Sequence, residues 1–283
     1  MLNFSRPVNI TFLIIRNKLY NIRSILEHIK ITIITVCKNS ADFLDATIKS
    51  VTNQTYQNIQ YIIIDGNSSD GTIDILRRHA SKIEVWVSED DNGMYDAINK
   101  GLKFATGDYV LILNSDDLLV NKSTIQNAVN LMGDNRPDYF YGNLVKIKNG
   151  KHKKVRLFPV TFKQLLLSTH GTFVPHPCLF ISKKLNEQLK GYSLKYKYAS
   201  DYDYILRALG TKGVKGKYID TTISKFRIHE NSITAGGKIE PERKIILEEH
   251  GYFQYSYFSR LFFYYTLWIY YKIINLANSY KNA

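Results

Sequence analysis

The chain has 283 residues, 45% apolar and 22% charged, with a formal net charge of +13. That is a globular composition, long enough for one large α/β domain or a domain with an appendage, and it excludes a disordered chain. The charge admits nucleic acid, an anionic membrane face or an anionic substrate as partner, while two cysteines, Cys37 and Cys178, are too few for a disulfide framework and read as buried residues in a reducing compartment.

The first 29 residues are weakly patterned and read as an appendage, with Leu19, Ile22, Leu26 and Ile29 at the spacing of a short helix. The apolar run Asn9–Ile15 is too short for a secretory leader and is followed by no small-residue cleavage site. No run reaches the ~18 apolar residues of a spanning helix. The expected location is therefore cytoplasmic.

Ile31–Val36 is a β-branched strand, followed by Ser40 as a helix cap and by a helix with Leu44, Ile48 and Val51 on one face. A second buried strand, Ile59–Ile64, runs into the turn-rich loop Asp65–Thr72, and Ile83–Val87 is a third. A helix from about Asn92 to Phe104 and a strand over Asp108–Leu113 complete a strand–helix alternation that predicts a parallel sheet covered on both faces. After Asp117 the pattern changes. Asn149-Gly150 joins two extended runs as a hairpin; a helix at Thr161–Ser168, a strand at Cys178–Ile181, a helix through Leu189, a helix opened by Ser200 and an extended run from Lys217 to Ile228 follow. From Pro241 the tail is helical and rich in Tyr and Phe.

Asp116 and Asp117 stand directly after the buried strand Tyr109–Leu113, where ligands of α/β sheets bind. Adjacent carboxylates on a loop suit Mg or Mn, which usually arrive with substrate phosphates. The chain has no G-x-x-x-x-G-K and no G-x-G-x-x-G after its first strand, so neither backbone route to gripping a phosphate is offered. A metal on carboxylates remains, and the combination points to a metal-dependent nucleotide-sugar site.

Four ordered segments make this specific. They are Thr35-Val36-Cys37-Lys38-Asn39, Asp65-Gly66-Asn67-Ser68-Ser69-Asp70-Gly71-Thr72, Asp91 through Gly101, and Asn114-Ser115-Asp116-Asp117. Together they resemble the N-terminal half of a family 2 glycosyltransferase of the GT-A fold, of the bacterial surface-polysaccharide type, over roughly residues 31–204. The resemblance implies a Rossmann-like, mostly parallel central sheet flanked by helices, with a C-terminal helical extension. It divides the chain into an appendage (1–29), a catalytic domain (30–235, its nucleotide-binding half 30–120 and acceptor half 121–235) and a tail (236–283). It implies that Thr35, Asp65, Asp96, Asn99, Lys100, Asn114 and Ser115 line the nucleotide-sugar site, with Asp65 at the uracil ring. Asn114-x-Asp116 takes the place of the family's D-x-D metal motif, with Asn for the first Asp, so that one charge is lost. Asp116 is then the metal ligand, with Asp117 as a second candidate or a helix cap. Asp201 resembles the second residue of the family's Glu-Asp pair, Ser200 replacing the Glu, and is assigned as general base. Asp203 and Arg207 read as a structural pair four apart. His229 falls where related enzymes place a late loop near the diphosphate, as a further metal or phosphate ligand, and His176 is placed on the acceptor side.

The resulting expectation is an inverting, Mg- or Mn-dependent transfer of a hexose or N-acetylhexosamine from a UDP-sugar to a hydroxyl of a saccharide, lipid-linked acceptor, in surface polysaccharide, O-antigen or capsule assembly. The segment Tyr252–Ile274, basic and aromatic without an acid, suits a helix lying at a membrane–water boundary, here the cytoplasmic face of the inner membrane. Packing on the domain or a homodimer contact is its alternative. The rivals are weaker. A sugar-nucleotide nucleotidyltransferase would show a Gly-rich basic loop in place of Cys37-Lys38-Asn39, and a dehydrogenase would show the glycine fingerprint. A non-enzymatic nucleic-acid or membrane binder would explain the charge, but the aromatics sit in the tail and not among the lysines, so no nucleic acid is expected as partner.

Overall fold

The computed structural model describes residues 28–168, 174–229 and 237–279, with side chains as far as Ile274. The run Asn9–Ile15 and all but the last two residues of the Leu19–Ile29 helix lie outside these residues, as does part of the His170–Pro177 loop.

The first half alternates as its apolar pattern demands. Strand β1 (Ile31–Cys37) is buried at every position and leads through helix α1 (Leu44–Thr52) to β2 (Ile59–Asp65). Helix α2 (Thr72–His79), strand β3 (Val85–Ser88), helix α3 (Met94–Phe104) and strand β4 (Tyr109–Ile112) follow. Strands buried on both faces belong at the centre of a parallel sheet. Accordingly β3, β2, β1 and β4 lie side by side and parallel, in that order. The register sets Cys37 opposite Asp65 and Asp65 opposite Ser88, so three strands end level on one edge. Beyond β4, the Leu113 amide still donates to the Ile34 carbonyl (2.9 Å), which carries Asn114 to the same edge.

Helix α3 starts two residues later than its sequence pattern suggests. Gly93 precedes it at φ +107°, a conformation that costs an L side chain and that glycine accepts. Tyr95, Ala97, Ile98 and Gly101 form its buried face. A Cβ on Gly101 would come within 2.6 Å of Cγ2 of Ile34, so the glycine lets the helix lie close on β1.

Antiparallel pairings enter after β4. The elements are β5 (Leu118–Leu119), α4 (Thr124–Met132), the hairpin β6 (Tyr139–Lys148) and β7 (Lys151–Val155), α5 (Phe162–Ser168), β8 (Leu179–Ser182), α6 (Lys183–Leu189), α7 (Ser200–Gly210) and β9 (Gly216–Ile228). Strand β8 runs against both β4 and β6, β9 runs parallel to β6, and β5 pairs with the far side of β9. The thirteen-residue β9 delivers Arg227 and His229 back to the loop after β4.

The tail forms helices α8 (Ile239–Glu249) and α9 (Tyr257–Ser279). Helix α9 packs on α5, buries Leu267 and sets Tyr270 edge-on against Phe158 (4.7 Å). Phe258, at 81% exposure, and Tyr257, Phe262, Trp268, Ile269 and Ile273 stand in solvent. Among the described residues no helix is long and apolar enough to cross a membrane. Cys37 and Cys178 are both buried and free; burial pushes the Cys178 thiol up to about 12.

Candidate active site

The site is built along the edge where the parallel strands end. Two loops are sewn together there. Asn39 N–H donates to Ser68 Oγ (2.7 Å), Ser69 N–H to Asn39 Oδ1 (3.0 Å) and Ala41 N–H to Asp70 Oδ2 (3.0 Å). Asp70 also accepts from the Thr72 hydroxyl and amide at the start of α2. Burial would raise its carboxyl, but these hydrogen bonds outweigh it and hold the group below the usual carboxylate range. Asp70 and Ser68 therefore shape the loop.

Asp65 has no exposed surface. Its Oδ1 accepts from Ser68 Oγ (2.5 Å) and Cys37 Sγ (3.4 Å), and its Oδ2 from Ser68 N (2.9 Å) and Ser88 Oγ (2.7 Å). A base edge would meet this carboxylate only where Ser68 or Ser88 released it. Asp91, the first residue of the third motif segment, is more accessible. Its Oδ1 accepts from Gly93 N (2.8 Å), and its other oxygen occupies the space a Cβ on Gly66 would fill, with Lys38 beside it. Its signal was the Asp-x-Gly spacing directly after a strand end.

Two expected nucleotide residues point elsewhere. Thr35 is fully buried and bonds through Oγ1 to the Tyr61 hydroxyl (3.1 Å), in a central strand covered on both faces. Asn99 uses its whole amide on the Gly191-Tyr192 turn: Nδ2 donates to Tyr192 O (2.8 Å) and Oδ1 accepts from Tyr192 N (2.7 Å). Two such bonds are worth about 1 kcal/mol each, and they staple α3 to the second half of the chain. Asp96 accepts from Asn92 N (3.0 Å), and Lys100 folds back onto Glu89 (2.9 Å) and the Asp90 carbonyl (2.6 Å). Asp96 and Asn99 also line a surface groove of about 450 Å³ with Lys103, Lys183 and Lys190.

The loop after β4 is the acidic corner. Asp116 Oδ2 lies 3.0 Å from His229 Nε2, and the His229 ring stacks on Phe43 (5.2 Å). Both side chains keep about a quarter of their surface, 25% and 29%. Ser115 bonds through its hydroxyl to Ser40 Oγ (2.9 Å). Asp117 lies inside. It does not cap a helix, since α4 begins seven residues later, and its Oδ1 accepts from Arg227 N (3.1 Å). Oδ2 of Asp117 and Oδ1 of Asn114 are buried without a hydrogen-bond partner. Desolvation, and then the neighbouring Asp116 charge, push the Asp117 carboxyl well above its ordinary range. As a metal ligand Asp117 is thus corrected to an interior position; the accessible donors are Asp116 and His229.

Among the described residues no three His, Cys, Asp or Glu converge on one point. One carboxylate and one imidazole, with unpaired oxygens behind them, nevertheless fit an ion that completes its shell with waters and substrate phosphates and needs no protein cage.

Asp201 stands in the first turn of α7. Its Oδ1 accepts from the Tyr95 hydroxyl (3.1 Å) and from Tyr202 N (2.9 Å). Tyr95 belongs to α3, so this contact joins the two halves. Burial, then the Asp201 charge, hold the Tyr95 phenol well above its usual range, and it remains a donor. Behind it Tyr192 stacks between Tyr95 (5.9 Å) and Tyr204 (4.0 Å) and bonds to His176 Nε2 (2.5 Å). His176 is 7% exposed and burial lowers its pKa. It packs against Tyr192 and is buried, so it offers little surface to an acceptor.

Beneath the helix, Asp203 pairs with Arg207 (2.8 Å) and His250 (3.0 Å). Burial would raise the Asp203 carboxyl, but His250 and Arg207 outweigh it and depress it. A carboxylate with a depressed folded pKa stabilises the fold above its unfolded pKa and loses that contribution as pH falls through the folded value. Asp203→Asn is expected to cost about 2–3 kcal/mol at neutral pH, the low end for a broken buried pair because Arg207 and His250 reach water. Chemical denaturation at a series of pH values checks it: the gap to wild type should close in strong acid, and a gap that does not change with pH would refute it.

The description "Glycosyl transferase family 2" fits residues 32–190 of this chain. The uncharacterized glycosyltransferase Rv1514c of Mycobacterium tuberculosis is 31% identical over 180 residues, 63% of this chain and 68% of that protein. WfaP of Escherichia coli, a UDP-Glc:alpha-D-GlcNAc-diphosphoundecaprenol beta-1,3-glucosyltransferase, is 27% identical over 209 residues, 72% and 80% of the two chains. Among solved structures, S. aureus TarS 1-349 in complex with UDP-GlcNAc superposes with a TM-score of 0.65 at 16% identity, over 78% of this chain and 66% of that one, just under two thirds of its length. The mannosyltransferase PcManGT from Pyrobaculum calidifontis, in complex with GDP-Man and Mn2+, gives 0.58 at 17%, over 77% and 63%. At such identities the likeness speaks for the fold alone.

Proposed function

Since the chain belongs to glycosyl transferase family 2, has the GT-A fold and is a glycosyltransferase, we propose that it inverts the anomeric centre of a UDP-sugar as it transfers a hexose or N-acetylhexosamine to a hydroxyl of a lipid-linked saccharide. The observation that carries the reading is the pairing of two partly buried acidic positions with opposite duties. Asp116 shares His229 at the strand-end corner, and Asp201 is held by Tyr95 at the start of α7. Asp116 and His229 would hold an Mg or Mn ion, which supplies positive charge to the leaving diphosphate. Asp201 accepts the acceptor's hydroxyl proton while the oxygen attacks the anomeric carbon in a single displacement. Asp91 and the Lys38–Asn39 turn border the nucleotide, and the Asp65 network fixes that loop.

The UDP donor and lipid-linked acceptor draw support from a relative whose name states UDP-Glc and a diphosphoundecaprenol-linked sugar. The exposed aromatic side of α9, with Arg260 set over Tyr252 and Lys272 over Trp268, would rest on an anionic membrane face and bring the active site to such an acceptor. The protein would then work at the cytoplasmic face of the inner membrane, in surface-polysaccharide assembly.

The test is UDP release from a panel of UDP-sugars, with Mg, with Mn and with chelator, in solution and on anionic vesicles. One UDP-sugar should be turned over only with metal, and faster on vesicles. Turnover of none, or turnover indifferent to chelator, would sink the donor and metal assignments; equal rates in solution and on vesicles would remove the membrane role.

A further inference from the structure

Helix α7 has no cap of its own. Ala199 stands at its N-cap position and makes no side-chain hydrogen bond to the helix. The loop that enters it is held from outside, by Glu242 in the first turn of α8. Glu242 Oε1 accepts from Lys197 N (2.8 Å), and Oε2 accepts from Tyr198 N (2.8 Å) and Ala199 N (2.9 Å). Three successive backbone N–H groups thus converge on one carboxylate, a charge-assisted arrangement stronger than neutral hydrogen bonds. Its neighbours on α8 fasten the same stretch. Arg243 lies over the Tyr202 ring (5.3 Å), Glu249 bonds Lys195 and Tyr196, and His250 bonds Asp203.

The link to chemistry runs through one hydroxyl. Tyr95 OH lies 3.1 Å from Asp201 Oδ1 and 3.1 Å from the Tyr198 carbonyl oxygen. Tyr198 is one of the residues whose amide Glu242 holds. The peptide stretch fixed by Glu242 and the carboxylate of Asp201 therefore share a donor, and a shift of the first changes the seat of the second.

We propose that Glu242 is a positioning residue for transfer: from the C-terminal segment it fixes residues 197–199 and through them the orientation of Asp201. This deepens the general-base reading of Asp201 and rests on it. Glu242 lies beyond residue 190, the last residue that the family description fits.

The test compares wild type with Glu242→Gln, Glu242→Ala, Asp201→Asn and the Asp201→Asn/Glu242→Ala double variant. Three quantities are read: kcat for UDP release from the UDP-sugar turned over in the panel, UDP affinity by titration, and amide hydrogen exchange across 195–203. Glu242→Gln keeps two acceptable bonds and sets an NH2 against the third N–H; it should lower kcat by roughly 10-fold, and Glu242→Ala by roughly 100-fold, the scale of a misplaced reacting group. UDP affinity should stay within about two-fold, since the nucleotide side is untouched, and the double variant should be no slower than Asp201→Asn alone, because groups acting as one unit are not additive. Exchange should quicken at 197–201 and not in β1 or β2. Unchanged kcat in Glu242→Ala, a fully additive double variant, or kcat and UDP affinity falling together would overturn the proposal. If Glu242→Ala does not fold, Glu242→Gln carries the same comparison. Failure of the general-base reading is separately visible, as full activity in Asp201→Asn; the exchange measurement then still decides whether Glu242 holds the loop.

Discussion

Asp201→Asn should lower transfer by about 10²–10⁴-fold, the range for a lost general base, while UDP binding stays within two-fold of wild type. The substitution is nearly isosteric. The amide oxygen can still accept from Tyr95 and from Tyr202 N, so the start of α7 should keep its shape. What disappears is the capacity to take a proton. In the proposed site the nucleotide rests on other residues, chiefly the Asp65 network and Asp91, which bond to Ser68, Ser88 and Gly93. The measurement is transfer rate against UDP affinity in one preparation. Full activity would remove Asp201 from the chemistry; parallel loss of both quantities would mean that the substitution had disturbed the fold.

Asp116→Ala should abolish the metal-dependent part of UDP binding and reduce turnover by roughly 10²–10³-fold, the cost of losing one preorganised partner of developing charge. His229→Asn should do less, since Asp116 and its full negative charge remain. The order matters because the chain carries Asn114 where a second carboxylate is expected, and the Asp117 carboxylate is interior. Among the described residues Asp116 is therefore the accessible carboxylate of this corner. Titration of UDP at rising Mn concentration checks the point. Metal-dependent binding that survives unchanged in Asp116→Ala would place the ion elsewhere, and Asp91 would then be the next variant to examine.

The parallel half of the sheet was legible because its strands are unbroken apolar runs and its helices carry their periodicity in short windows. The acidic corner at Asp116 was legible from its place directly after a buried strand, and the proposed roles of Asp201 and His229 rest on resemblance. The surroundings of Thr35 and Asn99 were not legible for a shared reason: a motif gives position along the chain and not the direction of a side chain. Thr35 bonds to Tyr61 within a strand covered on both faces, and a partner 93 residues away claims Asn99. Tyr95 was hidden because a tyrosine on the buried face of an amphipathic helix looks like core, and it is core except for its hydroxyl. Glu242 left no local trace at all, since it reads as an ordinary first-turn acid of α8 and its partners lie 43 to 45 residues earlier. The pairing of β9 with β6 is of the same kind, set by contacts across some 80 residues.

Tyr192 is held at every one of its functional groups: amide and carbonyl by Asn99, hydroxyl by His176, ring faces by Tyr95 and Tyr204. Mechanically it is a rivet through both halves of the enzyme. Halves so riveted cannot swing apart about a hinge without drawing Asn99 from its turn and Tyr95 from Asp201. The halves should therefore turn over as one frame of fixed width, with the adjustment to donor and product left to side chains and loops at the rim. Crosslinking the halves across Asn99 and Tyr192 would, on this view, cost the catalyst little.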